Sequence, residues 1–396
     1  MLVQFSVTNY KSIRNQATIS LKASADKEMD ENLFVVRNKV KLVPCLAVYG
    51  ANASGKSNLL EALILMREMV CGSYANILKG YSLPYEPYAF SETLKSPTEL
   101  DIIFYMNDIK YAYGFAYDAN RIKHEYLYHW PKGREALIFS RSGSDFTFPK
   151  ENMQEQIQLA KRTAPNRLYL VTSNEWNNQL TENAFMWFVK RLMNANAKGD
   201  DVYTLSVKAV KQGKDIKSKL LQEMLTADLG IENIDVIERG GKQQIITYHR
   251  IRNKSVNSAT YSLMLEQESA GTQFFFSRIG LWLKALSQGG VIVIDEIETS
   301  LHPLLTRHLV ELVQDHNINR NNAQLIFTTH DVGLLERTLL RRDQIWFVEK
   351  NDKTLETEVY ALTEFSPRKT ENIAKGYIQG RYGAIPFIGE ETLWQK

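Results

Sequence analysis

The first fifty residues alternate between apolar and polar positions and then change to a continuous apolar run. Leu2, Phe5 and Val7 stand between polar residues, and residues 17–21 repeat the alternation. Such alternation is typical of strands with one buried face, so the chain is predicted to open with a strand–turn–strand unit. The apolar run at 42–48 is the length of a buried strand and ends at a glycine.

Further along the chain, helical and antiparallel patterns follow one another. Apolar residues at 58–69 keep helical spacing, so a strand, a glycine-bounded loop and a helix are predicted in succession. Residues 100–106 and 110–117 alternate about Asn107-Asp108, which predicts a hairpin within an antiparallel region that extends to about 148. From about 150 to 235 the pattern is helical.

The last third of the chain returns to a strand–helix–strand pattern. Residues 291–294 and 325–328 are short apolar runs, and helical spacing lies between them. The chain is therefore predicted to be an α/β protein whose two halves enclose an insertion. Three units are predicted. Residues 1–149 include the antiparallel β subdomain, residues 150–240 form a helical insertion, and residues 241–396 complete the α/β domain.

Composition narrows the class of protein. The 396 residues are 44% hydrophobic, and the net charge is only +3, which argues against a histone-like polycation and an acidic disordered chain. Cys45 and Cys71 do not form a CxxC pair, so a disulfide framework or a cysteine-ligated metal site is not expected. There is no signal-peptide pattern and no apolar run of about 18 residues, so we expect a cytoplasmic protein without a membrane span.

An eight-residue stretch, GANASGKS, lies between the predicted strand and helix. Glycines let the backbone turn its N–H groups inward, and the following helix adds its positive N-terminus, so the loop suits a phosphate. We expect Lys56 to reach the β- and γ-phosphates and the Ser57 hydroxyl to coordinate Mg²⁺. The alternative, an incidental glycine-rich turn, does not account for the flanking elements. The predicted nucleotide-binding residues here are Gly50, Asn52, Gly55, Lys56, Ser57 and Asn58.

Two carboxylates, Asp295 and Glu296, end the apolar run at 291–294. A buried strand that ends in aspartate delivers a hard oxygen ligand, so Asp295 is the second predicted Mg²⁺ ligand beside Ser57. Glu296 is placed to orient and polarise an attacking water and is a predicted catalytic residue. The alternative is a core strand followed by ordinary solvated acids, and the glycine-rich loop earlier in the chain favours the functional interpretation.

His330 follows the second short apolar run. A histidine there would contact a γ-phosphate and report its presence, although a single histidine after a strand is more often structural. The interval between Glu296 and His330 has room for one helix and one strand, which favours a catalytic role.

Ser269 and Gly271 precede a helix predicted from about Phe274. A serine and a glycine ahead of a helix N-terminus can form a second anion site. A plain serine cap with a glycine turn explains the same residues, and residue type alone does not decide between them.

In their order along the chain, these four stretches resemble the motifs of the ABC/SMC/RecF-type ATPases. The stretch FSVTNYKS at 5–12 is similar to the opening strand of the SMC and RecF families. The resemblance implies a P-loop NTPase of ABC/SMC type with an antiparallel β subdomain and an inserted helical lobe, and it implies ATP and Mg²⁺ as cofactors. By this resemblance the glycine-rich loop is Walker A, and Asp295-Glu296 is Walker B. Residues 269–273 are a degenerate signature, 299–302 the D-loop, and His330 the switch histidine.

The same resemblance implies an oligomer. In that family the signature of one subunit closes over the nucleotide held by the other. We therefore expect an ATP-dependent, head-to-tail homodimer, or a higher homo-oligomer built from it. The resemblance also implies that this assembly hydrolyses ATP.

Three further stretches look like the RloA-type ATPases of bacterial defence islands, which are related to AbiLi, PtuA and AriA. They are NEWNN at 174–178, FMWF at 185–188 and GRYGAIPF at 380–387. This resemblance implies a switch or sensor subunit of an antiphage, abortive-infection system. It also implies a separately encoded effector, such as an RloB-type Toprim-like nuclease. The C-terminal stretch is either a docking tail or a turn that folds onto the core.

Two features bear on alternative functions. No sustained heptad separates the loop from the signature, so a coiled-coil arm is not expected, and too few residues follow His330 for an intrinsic nuclease domain of about 100 residues. Residues 190–219 are rich in lysine and arginine, which suits either a DNA contact or a solvated helix face. The alternative function is therefore a RecF-like repair ATPase that clamps duplex DNA, and DNA or a phage component is a further candidate partner. A transporter ATPase is a weak third interpretation.

Overall fold

The computed structural model describes residues 1–90, 96–150, 153–197, 201–211, 213–227, 230–239, 242–251, 259–367 and 371–386. Lys198 and Asp200 of the basic stretch, and Phe387 of the C-terminal stretch, lie outside the described residues. The strands are β1 (Leu2–Thr8), β2 (Ala17–Ser20), β3 (Phe34–Val35), β4 (Lys41–Leu42), β5 (Cys45–Tyr49), β6 (Thr98–Met106), β7 (Ile109–Tyr117), β8 (Ile122–Trp130), β9 (Ala136–Ser142), β10 (Asp145–Thr147), β11 (Leu192–Asn194), β12 (Ile231–Arg239), β13 (Lys242–Ile251), β14 (Ala259–Met264), β15 (Val291–Ile294), β16 (Gln324–Thr328), β17 (Ile345–Lys350) and β18 (Thr357–Ala361). The helices are α1 (Lys56–Cys71), α2 (Met153–Arg162), α3 (Tyr169–Glu175), α4 (Gln179–Lys190), α5 (Asp201–Lys211), α6 (Lys214–Thr226), α7 (Ala270–Gln288), α8 (Pro303–Gln314) and α9 (Ile373–Ile378).

A seven-stranded antiparallel sheet with the order β10-β9-β8-β7-β6-β1-β2 forms the β subdomain. The predicted hairpin is present, with Met106 paired to Ile109 across the turn. Asn107 and Asp108 have φ values of 50° and 59°, the left-handed conformation that a two-residue turn needs to match the twist of its strands. The predicted antiparallel subdomain is therefore confirmed, and it includes the first two strands of the chain.

The second large sheet places the ends of three buried strands at one edge. Its order is β11-β15-β16-β5-β17-β18, and the pairs β15–β16, β16–β5 and β17–β5 are parallel. Every residue of β5, β15 and β16 is buried, which explains their continuous apolar runs. Because the strands are parallel, the glycine-rich loop, the Asp295-Glu296 pair and His330 all follow them at the same edge.

The range 150–240 is not entirely helical. It contains α2–α6 as expected, but β11 joins the parallel sheet beside β15, with Met193 paired to Ile292. β12 lies in the same range and pairs with β13 in a three-stranded antiparallel sheet with β14. A three-residue strand shows no periodicity, so the sequence pattern did not reveal β11. The domain boundaries themselves stay a prediction.

The stretches that suggested a narrower family also pack into the core. Trp187 of α4 is buried and stacks on Phe104, with ring centroids 4.4 Å apart. Tyr382 is buried against Phe347 at 5.7 Å, so the described part of the C-terminal stretch folds onto the core. No helix among the described residues is long and apolar enough to cross a membrane.

Candidate nucleotide-binding site

The glycine-rich loop between β5 and α1 turns tightly against β17 and β18. A Cβ atom at Gly50 would collide with the carbonyl oxygen of Val348, and one at Gly55 would collide with the Thr357 hydroxyl. Gly55 also has a φ of 107°, a conformation that residues with side chains rarely adopt. Because α1 begins at the next residue, its first turn places N–H groups without intrahelical partners beside the loop.

Lys56, the first residue of α1, folds its side chain back over the loop. Its Nζ atom donates to the carbonyl oxygens of Gly50 and Ala51, each at 2.9 Å. Burial lowers the pKa of Lys56, and the carboxylates that follow β15 oppose this effect. An ammonium group held at a helix N-terminus in this way is placed to meet a phosphate.

Three polar side chains brace the loop. Asn58 Nδ2 donates to Ser12 Oγ at 2.6 Å, and the Thr357 hydroxyl donates to the carbonyl oxygen of Ser54 at 2.8 Å. The Ser12 and Thr357 hydroxyl oxygens lie 2.7 Å apart. Asn58, which the sequence predicts to be a nucleotide ligand, therefore uses its amide to hold the segment that follows β1.

Thr328 aligns the two carboxylate residues that follow β15. The register pairs Ile294 with Phe327, so Asp295 lies beside Thr328. The Thr328 hydroxyl donates to Asp295 Oδ1 at 2.5 Å and accepts the N–H of Glu296 at 2.7 Å. Glu296 has a φ of 52°, so the chain leaves the strand direction at this residue.

Asn196, just beyond β11, pairs with the backbone of Asp295. The Asp295 N–H donates to Asn196 Oδ1 at 2.7 Å, and Asn196 Nδ2 donates to the Asp295 carbonyl oxygen at 3.1 Å. The amide thus continues the β11–β15 pairing by one step. The backbone of the predicted metal ligand is held by the segment that follows β11.

A cleft with a volume of about 530 Å³ separates the loop from Glu296 and His330. The His330 side chain follows β16, and its backbone N–H donates to Glu298 Oε1 at 2.6 Å. The structure therefore brings three distant stretches of the sequence to one cavity. The predicted site residues that line it are Asn52, Gly55, Lys56, Ser57, Asn58, Glu296 and His330.

Ser57 and Asp295 supply oxygen atoms of the kind that Mg²⁺ prefers. Ser57 lines the cleft, whereas Asp295 and Gly50 are not among its lining residues; Asp295 directly precedes Glu296, which lines it. The Asp295 carboxylate accepts the Thr328 hydroxyl at Oδ1. Its Oδ2 atom has no hydrogen bond to the described residues and is left for a cation. The same part of the chain contains no group of three or more histidine, cysteine or acidic side chains that could hold a metal. A nucleotide-bound Mg²⁺ takes few protein ligands, so this donor set fits it.

Ser269 and Gly271 lie at the start of α7, outside the cleft. The Ser269 side chain caps the helix by accepting the Thr272 N–H at 3.2 Å. A Cβ at Gly271 would lie 3.1 Å from the carbonyl oxygen of Ser300, so the glycine packs closely on the turn before α8. Within one chain, Ser269 therefore acts as a plain helix cap and Gly271 as a closely packed glycine. Their role at a nucleotide stays a prediction.

Several site residues were missed by the sequence analysis: Ser12, Asn196, Glu298, Thr328 and Lys350. Thr328 and Glu298 carried a weak signal, because each is a polar residue at or just after the end of a buried apolar run. Ser12, the last residue of the 5–12 stretch, and Lys350 line the cleft from segments far apart in the sequence, and no local pattern marks either as a site residue.

Comparisons with known proteins give one family and a set of solved structures, two of which are described here. The family model described as "AAA domain, putative AbiEii toxin, Type IV TA system" matches residues 45–336. The SMC head bound to the C-winged helix domain of ScpA is 14% identical over 92% of this chain and 99% of that chain, with a TM-score of 0.42. CbiO1 from Clostridium perfringens, part of the ABC transporter complex CbiONQ, is 10% identical over 97% of this chain and 98% of that chain, with a TM-score of 0.34. Curated proteins gave no match.

Proposed function

This chain belongs to the family described as "AAA domain, putative AbiEii toxin, Type IV TA system", and on that premise we propose that it is an ATP-hydrolysing switch of a bacterial antiphage defence system. The family membership supports an AAA-type ATPase domain, and the order of the motifs along the parallel sheet supports the ABC/SMC type. The observation that carries the proposal is the cleft, in which Lys56, Glu296 and His330 meet.

Within the cleft each residue has a distinct task. The loop amides and Lys56 would bind the β- and γ-phosphates, and Ser57 and Asp295 would hold Mg²⁺, which would neutralise charge on the phosphates. Glu296 accepts a hydrogen bond from the attacking water and orients it. His330, on the neighbouring strand end, contacts the γ-phosphate side of the cleft.

The position of the signature supports a dimer that forms around ATP. Ser269 is exposed and lies outside the cleft of its own chain. A second copy, related by a two-fold axis, places its Ser269 and Gly271 over the nucleotide, and the reverse contact completes the pair. ATP then stabilises the dimer because it binds the closed pair better than the single chain.

Closure of the dimer is proposed to control a separately encoded effector, most simply a Toprim-like nuclease. Support comes from the toxin description of the family and from the resemblance of residues 174–178, 185–188 and 380–387 to RloA-type ATPases. The protein would therefore act in the cytoplasm as the sensor or gate of a two-component system.

The test is the Glu296→Gln variant, expressed with its neighbouring genes and purified with ATP and Mg²⁺. Loss of the base should slow hydrolysis and trap the dimer, which light scattering measures as a doubling of mass. Mass spectrometry then identifies any protein that co-purifies in stoichiometric amount. Lys56→Ala, which cannot bind the phosphates, should stay monomeric, and Glu135→Gln, at an exposed turn, should behave as wild type.

Two outcomes would contradict the proposal. A Glu296→Gln protein that stays monomeric in ATP and Mg²⁺ would refute the switch mechanism. Co-purification of nucleic acid without a protein would favour the DNA clamp instead. Of the basic stretch, Lys217 is paired with Asp235 at 2.6 Å.

A further inference from the structure

We propose that Glu298 is a positioning residue that holds His330 in the orientation required for ATP hydrolysis, an inference that rests on the function proposed above. Glu298 lies two residues beyond Glu296, in the turn after β15. Its Oε1 atom accepts the backbone N–H of His330 at 2.6 Å. One side chain thus connects the turn that carries the predicted base to the residue that carries the switch imidazole.

The turn is rigid enough to act as an anchor. The buried residue Ile297 donates its N–H to the carbonyl oxygen of Thr328 at 3.1 Å, and Leu301 donates to the carbonyl oxygen of Glu298 at 2.9 Å. Backbone hydrogen bonds therefore fix the chain on both sides of the Glu298 side chain. The Glu298 side chain therefore starts from a backbone position that is held at the end of β15 and at the turn before α8.

His330, in contrast, depends on this carboxylate. Thr329 is the last residue of the β16 segment whose N–H bonds to the neighbouring strand, at the carbonyl oxygen of Val48. One residue later the strand pairing has ended, and the N–H of His330 is satisfied by Glu298 instead. Since the direction of an exposed side chain follows its backbone, loss of this bond would let the imidazole drift within the cleft.

The second oxygen of Glu298 shows that stability alone does not explain the residue. Oε2 is inaccessible to solvent and has no hydrogen-bond partner among the described residues. A buried acceptor without a donor destabilises a fold, and such groups in native proteins are explained by a role in function or by a bound water or ion. The charge also acts on the cleft, because Glu298 opposes the effect of burial on the pKa of Lys56.

Substitutions separate the hydrogen bond from the charge. Glu298→Gln keeps an oxygen that can accept the His330 N–H but removes the charge, whereas Glu298→Met fills a similar volume and removes the acceptor. Glu135→Met, at an exposed turn, is the matched control. ATP turnover gives kcat and KM, and binding of a fluorescent ATP analogue is measured separately.

Glu298→Met should lower kcat by about 10- to 100-fold, the loss expected when a reacting group is misplaced by about 1 Å. Its KM for ATP should stay within about 2-fold of wild type, because His330 acts after binding. Glu298→Gln should recover most of kcat. The decisive measurement is a double-mutant cycle, in which Glu298→Met causes no further loss once His330→Ala is present.

Other results would overturn the inference. If the two substitutions multiply their effects, or if Glu298→Gln is as slow as Glu298→Met, Glu298 does not act through His330. Should thermal unfolding show that Glu298→Met is not folded, Glu298→Ala takes its place in the same cycle. A wild-type protein without ATPase activity contradicts the proposed function, whereas an active wild type with an unaffected Glu298→Met contradicts only this inference.

Discussion

Replacing Thr328 by valine removes one hydroxyl from the centre of the site and leaves its shape nearly unchanged. Thr328 is fully buried at the end of β16. Its hydroxyl donates to Asp295 Oδ1 at 2.5 Å and accepts the N–H of Glu296 at 2.7 Å. The variant therefore withdraws one partner from a carboxylate and one from a backbone amide, without opening a cavity.

The expected loss of stability follows from these two bonds. A hydrogen bond to a charged group contributes about 1.5–3 kcal/mol, and a neutral one about 0.5–1.5 kcal/mol. We therefore expect Thr328→Val to lower the free energy of unfolding by about 2–4.5 kcal/mol. Because the same hydroxyl orients the predicted metal ligand and base, kcat should also fall by about 10- to 100-fold.

Urea unfolding followed by tryptophan fluorescence measures the first effect, and steady-state ATP turnover measures the second. Thr328→Ser, which keeps the hydroxyl, should retain most of both properties. If Thr328→Val unfolds at the wild-type urea concentration and keeps its turnover, the hydroxyl does not organise the carboxylates and our reasoning about this strand end is wrong.

Three further variants test the loop and the packing behind it. Gly55→Ala should weaken binding of a fluorescent ATP analogue by at least about 10-fold, because the residue has a φ of 107° and a Cβ there would collide with a neighbouring hydroxyl. Burial lowers the pKa of Lys56 in the folded protein below the ordinary value of 10.5. Between these two pKa values the unfolded chain binds more protons than the folded one, so the free energy of unfolding rises with pH there. Lys56→Met should lack this rise when urea unfolding is compared at pH 8 and pH 10. Gly280→Val should destabilise the protein by about 1–3 kcal/mol, seen as a lower urea midpoint, because its side chain would collide with the backbone of Ser206, while ATP binding persists.

The parts of the fold that were predicted correctly depend on local sequence. The hairpin at Asn107-Asp108 was recognisable because the turn needs two left-handed residues between alternating strands. The strands before the glycine-rich loop, Asp295 and His330 were recognisable because burial on both faces requires continuous apolar runs. β11 and β12 were not predicted, since β11 has only three residues and the buried positions of β12, Ile231 and Ile234, are three residues apart and do not alternate.

The sequence by itself determined the phosphate loop, the acidic strand end and the histidine after the next buried strand, whereas the strand order of the sheet brought all three to one edge. Only the tertiary structure decided which side chains support them. Asn196 reaches Asp295 because β11 pairs with β15 as the outer strand of the sheet. Ser12 and Lys350 reach the cleft because distant segments pack beside the loop. It also decided that Ser269 stays outside the cleft of its own chain. The physical reason is that local periodicity records which face of an element is buried, whereas strand order and long-range hydrogen bonds depend on how the elements pack.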